Sequence, residues 1–315
     1  LYLMARSGTF IEALPIISLY AFAGYRLMPA LQQIYVSMSQ LRYIGSSLDS
    51  LYDDLRSFKS TYQFKKNETL QLQNSIKLNN INYSYPKSSK VALKDINIII
   101  PAKNTIGIVG ATGSGKTTLV DIILGLFEPQ TGTLEVDNVV ITNDNRRNWQ
   151  RSIGYVPQQI FLADDSVSAN IAFGVDLEKI DQDAVERVAK IANLHDFVIN
   201  ELPKKYKTTI GERGVRLSGG QCQRIGIARA LYHNPKILIL DEATSSLDNL
   251  TEKAVMEAVH KLGDDITIIS IAHRLSTVKK CDTIFLLEKG ILKGQGKFED
   301  LIQISESFRA TASNM

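Results

Sequence analysis

Residues 110–117 read Gly110-Ala111-Thr112-Gly113-Ser114-Gly115-Lys116-Thr117. A short apolar run, residues 106–109, precedes them, and a segment with helical spacing, residues 116–126, follows. In that strand-then-helix setting the glycines let successive backbone N–H groups turn inward around phosphate oxygens, while the helix start adds its positive end. The spacing places Lys116 to reach the β- and γ-phosphates of a nucleoside triphosphate and Thr117 to offer its hydroxyl to Mg²⁺.

Around this loop the chain alternates short apolar or β-rich runs with helical segments. The runs fall at residues 76–83, 96–100, 106–109, 133–136, 153–156, 237–240, 266–271 and 283–287. The helical segments include 116–126, 183–192, 219–233 and 250–262. Several of the runs are apolar throughout, as strands covered on both faces are. The alternation predicts an α/β domain around a largely parallel sheet. At the end of the run 237–240 stand two carboxylates, Asp241 and Glu242, at the strand end where ligands of open α/β sheets bind. Their expected division of labour is that Asp241 orders Mg²⁺, directly or through water, while Glu242 polarises the water that attacks the γ-phosphate. Loop and acid pair together read as a nucleoside triphosphatase.

The composition narrows the partners. The 315 residues are 44% hydrophobic and carry 36 basic against 33 acidic side chains, a net +3 without a dominant run, so charge makes no case for nucleic acid. Two cysteines, Cys222 and Cys281, are too few and too far apart for a disulfide framework or a metal site, and read as reduced thiols. The chain opens on Leu1 without the order of a signal peptide, and its start is expected to be a truncation. Residues 13–23 form the one apolar run that suits a membrane. On length alone a core or interfacial helix fits equally well. Met28, Leu31, Ile34, Tyr35, Met38 and Leu41 continue one helical face beyond it, which favours a spanning helix that runs on into water.

Leu217-Ser218-Gly219-Gly220-Gln221 gives the chain its resemblance to the ABC transporters. Physically it is a second anion site, since Ser218 can cap the helix that begins here and Gly219 and Gly220 leave their N–H groups open. The resemblance implies that Ser218, Gly219, Gly220, Gln221 and Asp248 contact an ATP held by the opposite protomer. It also implies that Tyr85, beside Pro86, stacks on adenine, where an edge-strand tyrosine is the other reading. Thr118 joins Gly110–Thr117 in binding ATP. Gln158 senses Mg²⁺ and the water, with Gln159 leaving the register open, and His273 contacts the γ-phosphate. Ser245-Ser246-Leu247-Asp248 resembles the loop that communicates across the dimer. Lys116, Gln158, Glu242 and His273 are thus the expected catalytic set, and Thr117, Gln158 and Asp241 the expected Mg²⁺ set. His195, His233 and His260 match nothing and read as surface or packing residues. Cys222 stands where a basic residue is common; a helix start would lower its thiol pKa, whereas partial packing would leave it inert.

The implied fold is α/β, a P-loop NTPase of the ABC ATPase kind with a RecA-like core, an antiparallel β-subdomain and a helical subdomain at about 163–234, preceded by a long, partly transmembrane helix. Residues 1–64 would be the remnant of a membrane domain, 65–74 a linker and 75–315 the nucleotide-binding domain. Within the first, residues 1–4 would end a fifth spanning helix, 5–12 form an outer loop and 13–58 the sixth helix. Residues 209–214 resemble the exporter-type loop before the signature. Residues 19–33 look most like the bacterial glycan and lipid-linked oligosaccharide flippases, so Arg26 is expected to face the translocation cavity or bundle interior, or else to snorkel. The expectation is the ATP-hydrolysing subunit of an exporter in the inner membrane, its ATPase domain cytoplasmic, paired with a second half-transporter as a homodimer. Its cargo would be a lipid-linked oligosaccharide or other lipid. The alternatives are another lipid, peptide or drug-like cargo, or a soluble or regulatory ABC ATPase.

Overall fold

The computed structural model describes residues 10–57, 69–86, 88, 90–211, 214–242, 247–261, 265–272, 275–304 and 308–309. The chain divides into two compact units, Leu1–Lys66 and Asn67–Met315.

Among the described residues the first unit has one helix, α1 (Phe10–Ser57), with Pro15 and Pro29 inside it. Its 48 residues extend about 72 Å at 1.5 Å per residue, more than twice the roughly 30 Å hydrocarbon core of a bilayer. Leu19, Tyr25, Leu31 and Ile34 are all exposed on it, and it is long and apolar enough to cross a membrane by length and composition. Asp49, Asp53, Asp54 and Arg56 make its last turns polar. Of the outer loop expected at 5–12, Phe10 to Glu12 are helical instead, and residues 5–9 lie outside the described residues. Thr9-Phe10-Ile11-Glu12, a hydroxyl residue followed three positions later by a glutamate, is a helix-start pattern that the loop reading passed over.

Among the described residues the second unit has two sheets. The first runs in the order β2-β1-β4-β5 and is antiparallel, built from β1 (Ser75–Ser84), β2 (Val91–Pro101), β4 (Thr131–Val136) and β5 (Val139–Val140). In β1 the buried set passes from Ile76 and Leu78 to Ile81 and Tyr83, with a register shift between Leu78 and Ile81 and Asn80 at φ 50. One extra residue keeps the apolar face inward on both sides of the bulge.

The second sheet runs β10-β9-β3-β8-β7-β6. Its parallel strands are β3 (Thr105–Val109), β6 (Ile153–Val156), β7 (Ile237–Asp241), β8 (Thr267–Ile271) and β9 (Thr283–Glu288). Every residue of β3, β7 and β8 is buried, which is why their sequences do not alternate. An antiparallel edge strand, β10 (Ile291–Gly296), was not anticipated, since Lys293-Gly294-Gln295-Gly296 carries almost no strand signal.

Helix α2 (Lys116–Ile123) follows β3, and the short α3 (Arg146–Gln150) packs Trp149 into the core with its indole N–H donating to Ile123 O at 2.7 Å. Between β6 and β7 lie α4 (Val167–Ile171), α5 (Gln182–Ile191), α6 (His195–Glu201) and α7 (Gly219–Leu231), which share a core that includes Val167, Val185, Val188, Val198 and Ile225. Helices α8 (Asn249–Lys261), α9 (Leu275–Val278) and α10 (Phe298–Ile304) follow later in the chain.

Candidate functional site

The loop from Gly110 to Gly115 leaves the carboxyl end of β3, in the middle of the parallel sheet. Lys116 extends back over it, its Nζ donating to the carbonyls of Gly110 (2.8 Å) and Ala111 (3.1 Å). Burial lowers the Lys116 pKa, opposed by the carboxylates of Glu242 and Asp241. Among the described residues, Ser114 Oγ is buried without a hydrogen-bond partner. Thr112 and Thr117 are exposed.

A cavity of about 500 Å³ opens beside the loop, walled by Gly113, Gly115, Lys116, Thr117 and Thr118 on one side. Tyr85, Ser88, Lys90, Val91, Ala92, Lys289 and Gly290 form the rest of its wall. Tyr85 sits edge-on to Tyr83 and Phe127, and its hydroxyl lies 2.9 Å from Thr118 Oγ1. The Lys289-Gly290 turn between β9 and β10 was missed, although it braces the loop directly. Gly290 N donates to Ser114 O at 2.9 Å, and Gly290 O accepts from Lys94 N at 2.8 Å. A Cβ on Gly115 (φ 102) or on Gly290 (φ 79) would meet the same atom, Ala92 O, at 2.9 and 2.4 Å. Only glycine lets three chain segments converge there.

Asp241 ends β7, and Glu242 turns away from the strand with φ 49, a left-handed backbone uncommon outside glycine. Its N–H is pinned to Ile271 O on β8 at 3.2 Å. Gln158, two residues beyond β6, donates from Nε2 to Glu242 Oε2 at 3.0 Å. Tyr155, on β6 itself, donates its hydroxyl to Asp241 Oδ2 at 3.3 Å. Burial, then Asp241, raises the Tyr155 pKa. The same two influences raise that of Asp121 on α2. Neither Tyr155 nor Asp121 was anticipated, because their interactions with Asp241 join residues 86 and more than a hundred positions apart in sequence.

The signature segment lies elsewhere. Ser218 caps α7 in a reciprocal box, its Oγ accepting from Gln221 N (3.2 Å) while Gln221 Oε1 accepts from Ser218 N (2.8 Å). Asp248 caps α8 through Thr251 N, and that hydrogen bond leads the influences that lower its pKa. Among the described residues, Ser218, Gly219, Gly220, Gln221 and Asp248 are not in the cavity wall. His273, Ser245, Ser246, Glu212 and Arg213 lie outside the described residues, as do residues 1–9. Burial raises the pKa of Cys222, in keeping with the partly packed, inert thiol and not with the lowered value a helix start would give. His195 Nδ1 lies 2.8 Å from the hydroxyl of Tyr206.

A parallel sheet with a glycine-rich loop at its carboxyl edge, a lysine folded over that loop and an Asp-Glu pair on the next-but-one strand define a P-loop nucleoside triphosphatase. Residues 93–245 match the ABC transporter family. The chain is 40% identical over 298 residues to the alpha-hemolysin translocation ATP-binding protein HlyB of Escherichia coli, covering 93% of this chain and 41% of that protein. It is 39% identical over 262 residues to the ATP-dependent lipid A-core flippase of Saccharophagus degradans, covering 82% and 44%. The structure of a bacterial Atm1-family ABC exporter with ATP bound is similar at TM-score 0.77 and 31% identity, covering 87% of this chain and 48% of that one. The chain therefore carries an ABC transporter ATPase domain together with an N-terminal apolar helix, and is homologous to exporter-type half-transporters. It spans less than half the length of each of these relatives.

Proposed function

We propose that this chain is the ATP-binding and hydrolysing part of an ABC exporter, in which two copies close on two ATP molecules and hydrolysis drives a substrate across the inner membrane. The observation that carries the reading is the loop cavity, with Lys116 over the loop and the Gln158–Glu242 contact beside it. The buried Ser114 hydroxyl, without a partner among the described residues, suits an anion at this loop, because buried polar groups are otherwise satisfied. Backbone N–H groups of Gly110–Thr117, the α2 start and Lys116 would hold the phosphates, with Thr118 and Tyr85 on the nucleoside side. Glu242 would accept the proton of the attacking water, oriented by Gln158 and His273.

Thr117, Gln158 and Asp241 present hydroxyl, carboxamide and carboxylate oxygens, donors suited to Mg²⁺. Mg²⁺ at such sites draws many of its ligands from phosphates and water. Bound there, Mg²⁺ would neutralise charge on the β- and γ-phosphates.

Ser218, Gly219, Gly220, Gln221 and Asp248 would complete the site of the second copy, in keeping with their place away from the cavity of their own chain. The domain reading follows: residues 1–64 belong to a membrane domain that is multi-pass in the intact protein, 65–74 link, and 75–315 bind nucleotide in the cytoplasm. The cargo proposed is a lipid-linked oligosaccharide or other lipid, for which the resemblance to a lipid A-core flippase is support. Arg26, whose guanidinium lies 5.8 Å from the Phe22 ring centroid, would meet the pyrophosphate. A second reading, a peptide or protein cargo, is favoured by the HlyB match.

The test is Mg²⁺-dependent ATP hydrolysis as a function of protein concentration. The rate per chain is expected to climb with concentration, and Glu242→Gln to accumulate as an ATP-bound dimer. A rate per chain that stays constant while the protein remains monomeric would sink the two-copy site. Arg26→Ala in the intact transporter tests the cargo, since unimpaired flipping of a lipid-linked glycan rules out a pyrophosphate contact at Arg26.

A further inference from the structure

Strand β6 pairs with β7 in parallel, Tyr155 opposite Ile239 and Val156 opposite Leu240. That register lets the Tyr155 ring lie along the end of β7, and its hydroxyl meets Asp241 Oδ2 at 3.3 Å. Three residues later Gln158 takes Glu242 Oε2 at 3.0 Å. Neighbouring carboxylates of one strand end are thus each held by a donor from one short segment of the adjacent strand and its exit.

We propose that Tyr155 is a positioning residue for the metal-ordering carboxylate of Asp241, so that residues 155–158 set the orientation of both members of the acid pair together. This rests on the nucleotide and Mg²⁺ reading given above. A carboxylate rotates freely about its last bond unless an oxygen is held, and a donor on Oδ2 fixes that rotation before any ion arrives. The segment then acts as one clamp, because a shift of the chain at Gln158 is transmitted through Pro157 and Val156 to Tyr155. Phenylalanine would fill the same space in the core against which Tyr155 packs but could hold nothing.

The test compares the wild-type chain with Tyr155→Phe. The melting temperature is expected to match, and the affinity for a fluorescent ATP analogue in EDTA to agree within about twofold. The affinity for Mn²⁺ in the presence of a non-hydrolysable ATP analogue, read by electron paramagnetic resonance, is expected to weaken by about tenfold, in line with other groups that orient metal ligands. The Mg²⁺ midpoint of hydrolysis should rise with it. Equal Mn²⁺ affinities in the two proteins would overturn the assignment of Tyr155 alone. An equal loss of metal-free nucleotide binding and of melting temperature would make Tyr155 a packing residue and also overturn it. A wild-type chain that binds no Mn²⁺ with nucleotide would overturn both this inference and the reading beneath it.

Discussion

Gln158 Nε2 donates to Glu242 Oε2 across 3.0 Å, joining the exit of β6 to the end of β7. Glu242 meets it from a left-handed backbone, φ 49, with its N–H tied to Ile271 O. Backbone strain of this kind costs on the order of 1–3 kcal/mol and persists where the surroundings enforce it. Here it turns a side chain off the strand end towards a donor on the neighbouring strand. The first expected outcome concerns this glutamate. Glu242→Gln should bind ATP with an affinity within a few-fold of wild type while steady-state hydrolysis falls at least about a hundredfold, the usual scale for losing a general base. Undiminished turnover would dismiss Glu242 from that role.

Gln158→Ala should act differently, because it removes the holder and keeps the carboxylate. The KM for ATP should change little and kcat should fall by roughly tenfold to a hundredfold, as expected for a misplaced catalytic group. A kinetic profile with KM alone affected would count against the contact.

Gly290→Ala probes the brace on the phosphate loop. A Cβ there would lie 2.4 Å from Ala92 O at φ 79, so a loss of about 2 kcal/mol or more is expected from backbone strain and overlap. Urea unfolding would register it, and ATP binding should weaken with it. Wild-type stability in this variant would mean the turn is free to move.

Asp137 gives the acid dependence. Burial pulls its pKa up, but the backbone N–H groups of Ser75, Gln73 and Asn74 outweigh that and hold it below the ordinary value. With the folded pKa depressed, the stabilisation is present above the usual carboxylate range and is lost as pH falls through the folded value. Asp137→Asn should therefore melt lower than wild type at pH 7, by about 1–2 kcal/mol, and the gap should close on acidification. A gap that stays constant across the acid range would exclude this carboxylate as its source.

The cysteines should be poor nucleophiles. Burial raises the pKa of Cys222 and, with Asp282 adding to it, pushes that of Cys281 up to about 12. Since the thiolate is the reactive form, mass spectrometry after brief maleimide exposure at neutral pH should find Cys281 unmodified and Cys222 slow to react. Rapid labelling of either would contradict the packing around it.

Much of the site was legible because its signals are local. The eight residues of the phosphate loop, the acid pair after an apolar run and the cap at Ser218 each occupy a few consecutive positions, where backbone geometry follows directly from residue type. The parallel strands were equally plain, since β3, β7 and β8 are apolar throughout. Edge strand β10 was not, because a strand that is hydrogen-bonded on one side only can be written in lysine, glutamine and glycine. At the end of the outer loop expected at 5–12, residues 10–12 are helical, a boundary that apolar periodicity alone places too late.

By itself the amino-acid sequence supplied the class of the ATPase domain, most of the order of its elements and the residues expected to carry phosphate and acid chemistry. Only the tertiary structure decided which of those residues meet. Tyr155 and Asp241, Gln158 and Glu242, Gly290 and Ser114 are pairs made by strand order and register in a parallel sheet, whose crossovers bring distant stretches of chain side by side. No local pattern encodes a neighbour that arrives from another strand, so the groups that hold the loop and the carboxylates in place could be named only from the fold.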